Sequence, residues 1–401
     1  MSHEHAPSAA VGGPAGLLVV AIDRLPAWIL PAYGATWVAM PRLDALAARG
    51  IVFDRAIATT DDPQATLHDL LGGGATPAVV AAAAAREWHS AFVTDDAAAC
   101  LAGAESIRVV AAPKRMPERD ADATCLARLC NAARDVVAAG RHRLVVVHAT
   151  SLGTCWDAPA GFREAYVDPD DPPPPAEATV PDFEIATAAD PDVLVGIRQA
   201  FAGQLTLLDR CLGDVVAAAE AAGWTVVVAG LRGLALGLHG RVGPSGGAAF
   251  GELVHVPVIM ADAASRMAGQ RCGAIVVPAD VGVTLGELLG AAPEPPADGD
   301  PRRGASLVGL FTSWSMPRRD RAVAVTRSGA AIATPAWHCV ALGDRVALYA
   351  KPDDYFEVCD VANRSAAVAE ELGGLVAAAA AGDAARAWRS PLSAAAATGG
   401  S

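Results

Sequence analysis

Long apolar runs are missing from this chain of 401 residues. No stretch approaches the ~20 residues that a helix needs to cross a bilayer, although 53% of the residues are hydrophobic. That apolar content is left for a large buried core. Charge is sparse at 19%, and basic charge is sparser still: 31 Lys and Arg stand against 44 Asp and Glu, a net charge of −13. Such a surface repels phosphate backbones and anionic headgroups, which argues against a nucleic-acid partner or a polybasic membrane attachment. The eight cysteines contain no close pair, so neither a zinc ribbon nor a Cys-x-x-Cys redox site is written in the sequence. Buried, reduced thiols are the expectation. Residues 1–16 carry no Lys or Arg ahead of their short apolar stretch, unlike a signal peptide. Together with the unpaired thiols, this gives cytoplasmic residence as the expectation.

What is present is an alternation. Leu17-Leu18-Val19-Val20-Ala21-Ile22 is a short apolar run ending at Asp23, the pattern of a strand buried on both faces of a parallel sheet. Similar runs occupy 90–93, 108–111, 144–147, 224–229 and 256–260, and helical patterns separate them at 41–49, 65–71, 121–139, 193–222 and 281–289. This predicts an α/β/α sandwich with a mainly parallel sheet. Ligand sites in such sheets lie beyond the carboxyl ends of the strands, which singles out Asp23, His148 and the residues after Ala229. The proline-rich stretch 167–192 reads as an extended surface loop. After a second Pro/Gly/Asp-rich boundary at 293–303, short strand-like pieces and the helical pattern 365–380 predict a small antiparallel sheet with one covering helix. The expected organisation is a tail over 1–15, a main domain over 16–312, a subdomain over 313–385, and a second structureless tail over 386–401.

Val19 to Asp23, then Tyr33-Gly34, then Met40-Pro41-Arg42-Leu43-Asp44 on to Arg49-Gly50-Ile51-Val52-Phe53 resembles the opening of sulfatases of the alkaline phosphatase superfamily. The segment from His148 to Asp157-Ala158-Pro159 with Tyr166, the stretch from Gly223 to Gly240 leading into His255-Val256-Pro257, and Leu348-Tyr349 through Arg364 are similar to later parts of that family, in order. The resemblance implies the alkaline-phosphatase-like fold. It also implies a chemistry: a Cys or Ser in a Cys/Ser-x-Pro-x-Arg motif, converted to formylglycine, attacking an ester polarised by a divalent cation. An Asp-Asp pair after the first strand, and an Asp with Asn or His after a later one, would hold that cation.

Here those parts are replaced. The first pair reads Asp23-Arg24, leaving Asp23 as the one candidate metal ligand, and the later pair reads Leu231-Arg232. Two guanidiniums beside a single carboxylate make cation binding unfavourable. The nucleophile stretch is Asp61-Asp62-Pro63-Gln64-Ala65, with Pro63 or Asp61 at the nucleophile position depending on register, and the motif's Arg is absent in either. Asp61 at a helix start reads as an N-cap. A literal Ser-x-Pro-x-Arg at 315–319 sits beyond the main sheet and reads as basic linker. His239-Gly240 keeps the family's His-Gly, but Pro244 falls where a Lys is expected; His255 and His338 read as structural histidines. The remnant pocket therefore comprises Asp23, Arg24, Asp61, Asp62, Arg232 and His239, with no catalytic residue assigned.

Two functions follow as expectations. One is a sulfatase-like pseudoenzyme with a binding or scaffold role, requiring no cofactor and accepting a small anion in the remnant pocket. The alternative is a divergent hydrolase of sulfuric or phosphoric esters that uses Ca²⁺ or Mg²⁺ with relocated groups such as Asp61, Asp62 and His239. If Arg24 and Arg232 point into the old metal position, the expectation is that the site is either filled by an internal pair of Arg24 with Asp23 or accepts an anion rather than a cation.

Overall fold

Most of the apolar runs become buried strands; the run at 108–111 does not, since it meets only the end of an exposed edge strand, and the run at 256–260 is divided between two short antiparallel strands. The computed structural model of the chain describes residues 13–111, 119–186, 190–292, 304–312 and 319–399. Leu17–Asp23 (β1), Ile51–Ile57 (β2), His89–Thr94 (β3), Ser106–Val109 (β4) and His142–Ala149 (β5) form first. Phe183–Glu184 (β6), Thr225–Arg232 (β7), Ala235–Leu236 (β8), Arg241–Gly243 (β9), His255–Val256 (β10), Val258–Ala261 (β11) and Gln270–Val276 (β12) follow. The main sheet has the order β10-β2-β11-β7-β1-β5-β3-β4, and β12 pairs with β2. β1 lies between parallel β5 and β7, while β10 and β11 run antiparallel to β2. The result is a mixed, mostly parallel sheet.

All seven residues of β1 are buried, which is why its apolar run shows no period-two alternation: each face meets a different core. Leu18, Val20 and Ile22 point into a core shared with the helices Cys125–Ala138 and Pro191–Ala221. Leu17, Val19 and Ala21 point into a second core with the helices Pro63–Leu70, Ala78–Ala85 and Pro278–Leu288. Helices therefore cover both faces, as the alternating pattern predicts.

Ala322–Thr326 (β13), Gly329–Ala333 (β14), Trp337–Leu342 (β15) and Arg345–Ala350 (β16) form the small antiparallel sheet, in chain order. The helix Ala366–Ala380 covers it. Their core is not separate from the main domain: Val323, Ile332 and Leu348 pack in one cluster with Ile57, Val254 and Ile275. β6, β8 and β9 make a minor three-stranded sheet in and after the proline-rich segment.

The C-terminal tail expected over 386–401 is a correction. Ala384–Arg389 and Ala394–Thr398 are helices, with Ala387, Trp388 and Ala396 buried against the small sheet. Ala and Ser composition reads as structureless in isolation, yet Ala is the best helix former. Here Ser393 caps the last helix at Ala396 N, and Gly399 ends it at φ +69°. Residues 1–12 of the expected N-terminal tail, the boundary at 293–303, the 312/313 junction and residues 315–318 of the linker motif lie outside the described residues. Arg319 is described, and its guanidinium pairs with Asp280. No helix among the described residues is long and apolar enough to cross a membrane.

Candidate functional site

At the carboxyl ends of β1 and β7 the register decides the chemistry. Ile22 pairs with Gly230, but a bulge then sets Asp23 opposite Arg232. The Arg232 fork closes on the Asp23 carboxylate, Nε to Oδ1 at 2.7 Å and Nη2 to Oδ2 at 3.0 Å. This is the bidentate geometry in which an arginine–carboxylate pair is strongest. Its remaining arm, Nη1, donates to the carbonyl of Asp61 at 2.6 Å. Asp23 thus takes Arg232 as its bidentate partner, while the expected Arg24–Asp23 pair is present as a longer ion contact of 4.0 Å. Arg24 follows the strand at φ +62°, which turns its side chain away along the site floor. There Nη1 donates to Gly233 O at 3.3 Å, Nη2 donates to Pro244 O, and Nε stands 4.0 Å from Asp23 Oδ2.

Arg24 is 7% exposed. Burial, then the neighbouring Arg232, pull its pKa down to about 10, which leaves it cationic at neutral pH. Glycine is required at position 153 for this side chain to pass, because a Cβ there would stand 2.7 Å from Arg24 Cγ.

The stretch between β2 and the helix Pro63–Leu70 supplies the third wall. Asp62, not Asp61, is the N-cap: its Oδ1 accepts from Gln64 N at 2.9 Å and Ala65 N at 3.3 Å. Pro63 explains the difference, since proline is favoured at the first helical position and the cap is the residue before it. Asp61 accepts Arg327 N on Oδ2 at 3.2 Å, and Thr60 bridges in parallel to Val325 of β13. The hollow so formed holds about 480 Å³, lined among others by Arg24, Thr60, Asp61, Arg232, Ser245 and Arg327.

Of the expected residues, Asp23, Arg24, Asp61 and Arg232 therefore come together. Asp62 is committed to its helix. His239 faces a different cavity: it stacks on Phe250 at 3.7 Å between ring centres and pairs with Glu252 through Nδ1 at 3.0 Å. Burial disfavours its charge, but the Glu252 hydrogen bond and the Glu252 and Glu357 carboxylates outweigh this and hold its pKa above the ordinary imidazole value. That second cavity, about 460 Å³, lies between β2, β12 and the small sheet, with Trp28, Tyr33, Tyr355 and Phe356 in its walls. His255 and His338 also line it, each tied structurally: His255 Nε2 to Asp54 O at 2.8 Å, and His338 Nδ1 to the buried Glu357 carboxylate. His148, at the end of β5, shares a hydrogen bond with Thr94 Oγ1 at 3.0 Å and is fully buried.

Arg327 and the turn 244–247 were not legible as site residues. Arg327 sits in the tight connection between β13 and β14 and reaches the hollow only because the small sheet docks there.

A divalent cation, which the fold resemblance implies, does not fit these residues. Both oxygens of the one remaining carboxylate ligand are taken by Arg232, and Arg24 adds a second positive charge at the same place. A cation would have to displace one guanidinium and tolerate the other.

No protein-family profile matches this sequence, and no curated protein matches it. Solved structures do. The phosphonate monoester hydrolase of Agrobacterium radiobacter aligns with TM-score 0.69 and 18% identity, over 93% of this chain and 96% of that one. A phosphonate monoester hydrolase from Silicibacter pomeroyi gives 0.70 and 17%, over 93% and 96%. A 2-O glycosaminoglycan sulfatase gives 0.71 and 15%, over 95% of both chains. Nearly the whole chain thus shares the sulfatase-like, alkaline-phosphatase-like α/β fold.

Proposed function

We propose that this sulfatase-like chain is a pseudoenzyme that binds a small oxyanion, sulfate or phosphate or one of their monoesters, without hydrolysing it. The observation that carries this is the Arg232 fork closed on Asp23, with Arg24 beside it. A guanidinium occupies the carboxylate that a metal would need, and the hollow is left cationic. Arg24, Arg232 and Arg327 line it against Asp23 and Asp61, so one positive charge is unbalanced. Arg24 Nε has no hydrogen-bond partner among the described residues. Nucleophile and electrostatic stabilisation act as a unit in ester hydrolysis, and the arginines here offer charge to an anion without the family's Cys or Ser nucleophile beside them. On this reading no cofactor is required, and eight cysteines without a disulfide among them fit a reducing compartment such as the cytoplasm.

Calorimetry with inorganic sulfate, inorganic phosphate and Ca²⁺, run beside turnover of aryl sulfates, aryl phosphates and phosphonate monoesters with Ca²⁺, Mg²⁺ or Mn²⁺, tests the proposal. Expected are anion binding weakened by Arg24→Ala and Arg327→Ala, no Ca²⁺ binding, and no turnover. Metal-dependent turnover abolished by Asp23→Ala would establish the alternative, a divergent metal-dependent hydrolase.

A further inference from the structure

The fold brings together two cysteines that are thirty positions apart in the sequence. Cys125 is the first residue of the helix Cys125–Ala138, and Cys155 and Asp157 lie in the loop that follows β5. The two sulfurs and an Asp157 oxygen all lie within 4.8 Å of one another, and all three residues are buried. The two thiols share a hydrogen bond. Asp157, fully buried, accepts only from Cys125 N at 2.7 Å and from the Gln204 amide at 3.4 Å among its described contacts. A guanidinium, Arg163, lies close enough to feel the Asp157 charge. Its Nη groups, however, are spent on the carbonyls of Trp156, Pro175 and Glu177. Arg163 thus offsets the Asp157 charge from nearby, while the carboxylate itself is bonded only by neutral donors among its described contacts.

We propose that Cys125, Cys155 and Asp157 form a binding site for one zinc ion, distinct from the remnant pocket. Two sulfurs and one carboxylate oxygen are a donor set that zinc accepts, with sulfur at about 2.3 Å and a fourth, tetrahedral position open to water. Thiolate selects zinc over Ca²⁺ or Mg²⁺, which prefer oxygen. The charges close: two thiolates and one carboxylate carry three negative charges, the ion two positive ones, and Arg163 supplies the third. Binding releases both thiol protons to solvent, because metal ligation requires thiolate. The helix N-terminus under Cys125, capped by Thr124 at Ala127 N, favours the anionic sulfur.

The test uses the intact chain, reduced, stripped with a chelator and titrated with Co²⁺ as a spectroscopic stand-in, then with Zn²⁺. Expected is a thiolate-to-cobalt charge-transfer absorption that saturates at about one equivalent per chain with the tetrahedral visible bands, and that Zn²⁺ bleaches. It should be lost in Cys125→Ser and in Cys155→Ser. It should shift in energy but persist in Asp157→Asn, and be unchanged when the exposed Cys100 and Cys359 are both replaced by Ser. If a serine variant does not fold, the titration is repeated with Cys211→Ala, because Cys130 and Cys211 are the other buried thiols that lie near each other; the band should persist, and its loss would overturn the proposal. The proposal is overturned if cobalt gives no charge-transfer band with the wild type, or if the band depends on the exposed cysteines. A Cys125–Cys155 disulfide found by mass spectrometry of protein isolated under native conditions would overturn it equally.

Discussion

At the scale of single residues, Asp23 and Arg232 depend on each other. Asp23 is 5% exposed, and a carboxylate buried to that degree is tolerated only with its partner in place. Arg232→Met should therefore destabilise the chain by about 3 kcal/mol, the order expected when one half of a buried pair is removed. Asp23→Asn should cost a similar amount, while the double variant costs distinctly less than the sum of the two. Urea unfolding of the four proteins measures this, and additivity to within about 0.5 kcal/mol would mean that the pair is not coupled.

His255 gives a second residue-scale expectation. Burial pulls its pKa down from 6.5 to about 4, so between these values the unfolded chain binds a proton that the folded chain refuses. Stability contributed by the neutral ring is present above pH 6.5 and is lost as pH falls toward 4. The loss is on the order of 3 kcal/mol, and His255→Gln should flatten that limb of the stability profile. His239, whose pKa is raised, has the opposite sign: its contribution is lost as pH rises, so it does not mask the acid limb. The residues themselves were legible to different degrees. Asp23 and Arg232 could be placed because each ends a strand whose apolar run is unmistakable. His239 could be located but not aimed, since its direction is set by stacking on Phe250 and by Glu252, neither of which its own neighbourhood announces.

At the scale of elements, the helix Pro63–Leu70 shows how local rules fix a site wall. Its start is set by Pro63 and its cap by Asp62, and Asp61 is thereby left outside the helix with its carbonyl free to receive Arg232. Replacing Asp62 by Ala should cost about 1 kcal/mol of stability through the lost cap while leaving anion binding in the hollow intact. Thermal unfolding and calorimetry on the same variant separate the two, and a loss of anion binding in excess of the stability change would show that the cap carboxylate reaches the ligand. Elements whose burial is two-sided were read correctly from their apolar runs. The C-terminal helices were not, because their stability comes from docking: Trp337 Nε1 donates to Ala395 O at 2.7 Å, and Arg321 Nη1 donates to Ala387 O at 3.0 Å. Interactions across 58 and 66 residues leave no periodic trace.

At the scale of the molecule, the small sheet is part of the main body. Its core is continuous with Ile57, Val254 and Ile275, and β13 is joined to the segment just after β2 by the bond from Val325 N to Thr59 O at 2.9 Å. A chain ending at Arg303 should accordingly be insoluble or molten, judged by gel filtration and near-ultraviolet circular dichroism. A monomeric product that melts where the intact chain does would show the two parts to be independent.

The clasp between Arg232 and Asp23 also restricts which substitutions the site tolerates. Because the same guanidinium holds β1 and the loop after β2 together, its role is mechanical as well as electrical. Stepwise conversion of this place into a cation site would be obstructed. Changing Arg232 to an acid first would place two carboxylates side by side with only Arg24 to restrain them, and changing Arg24 first would leave the clasp closed and the cation still shut out. Each single step loses stability or gains nothing, so a cation site would be reached here only by several simultaneous changes.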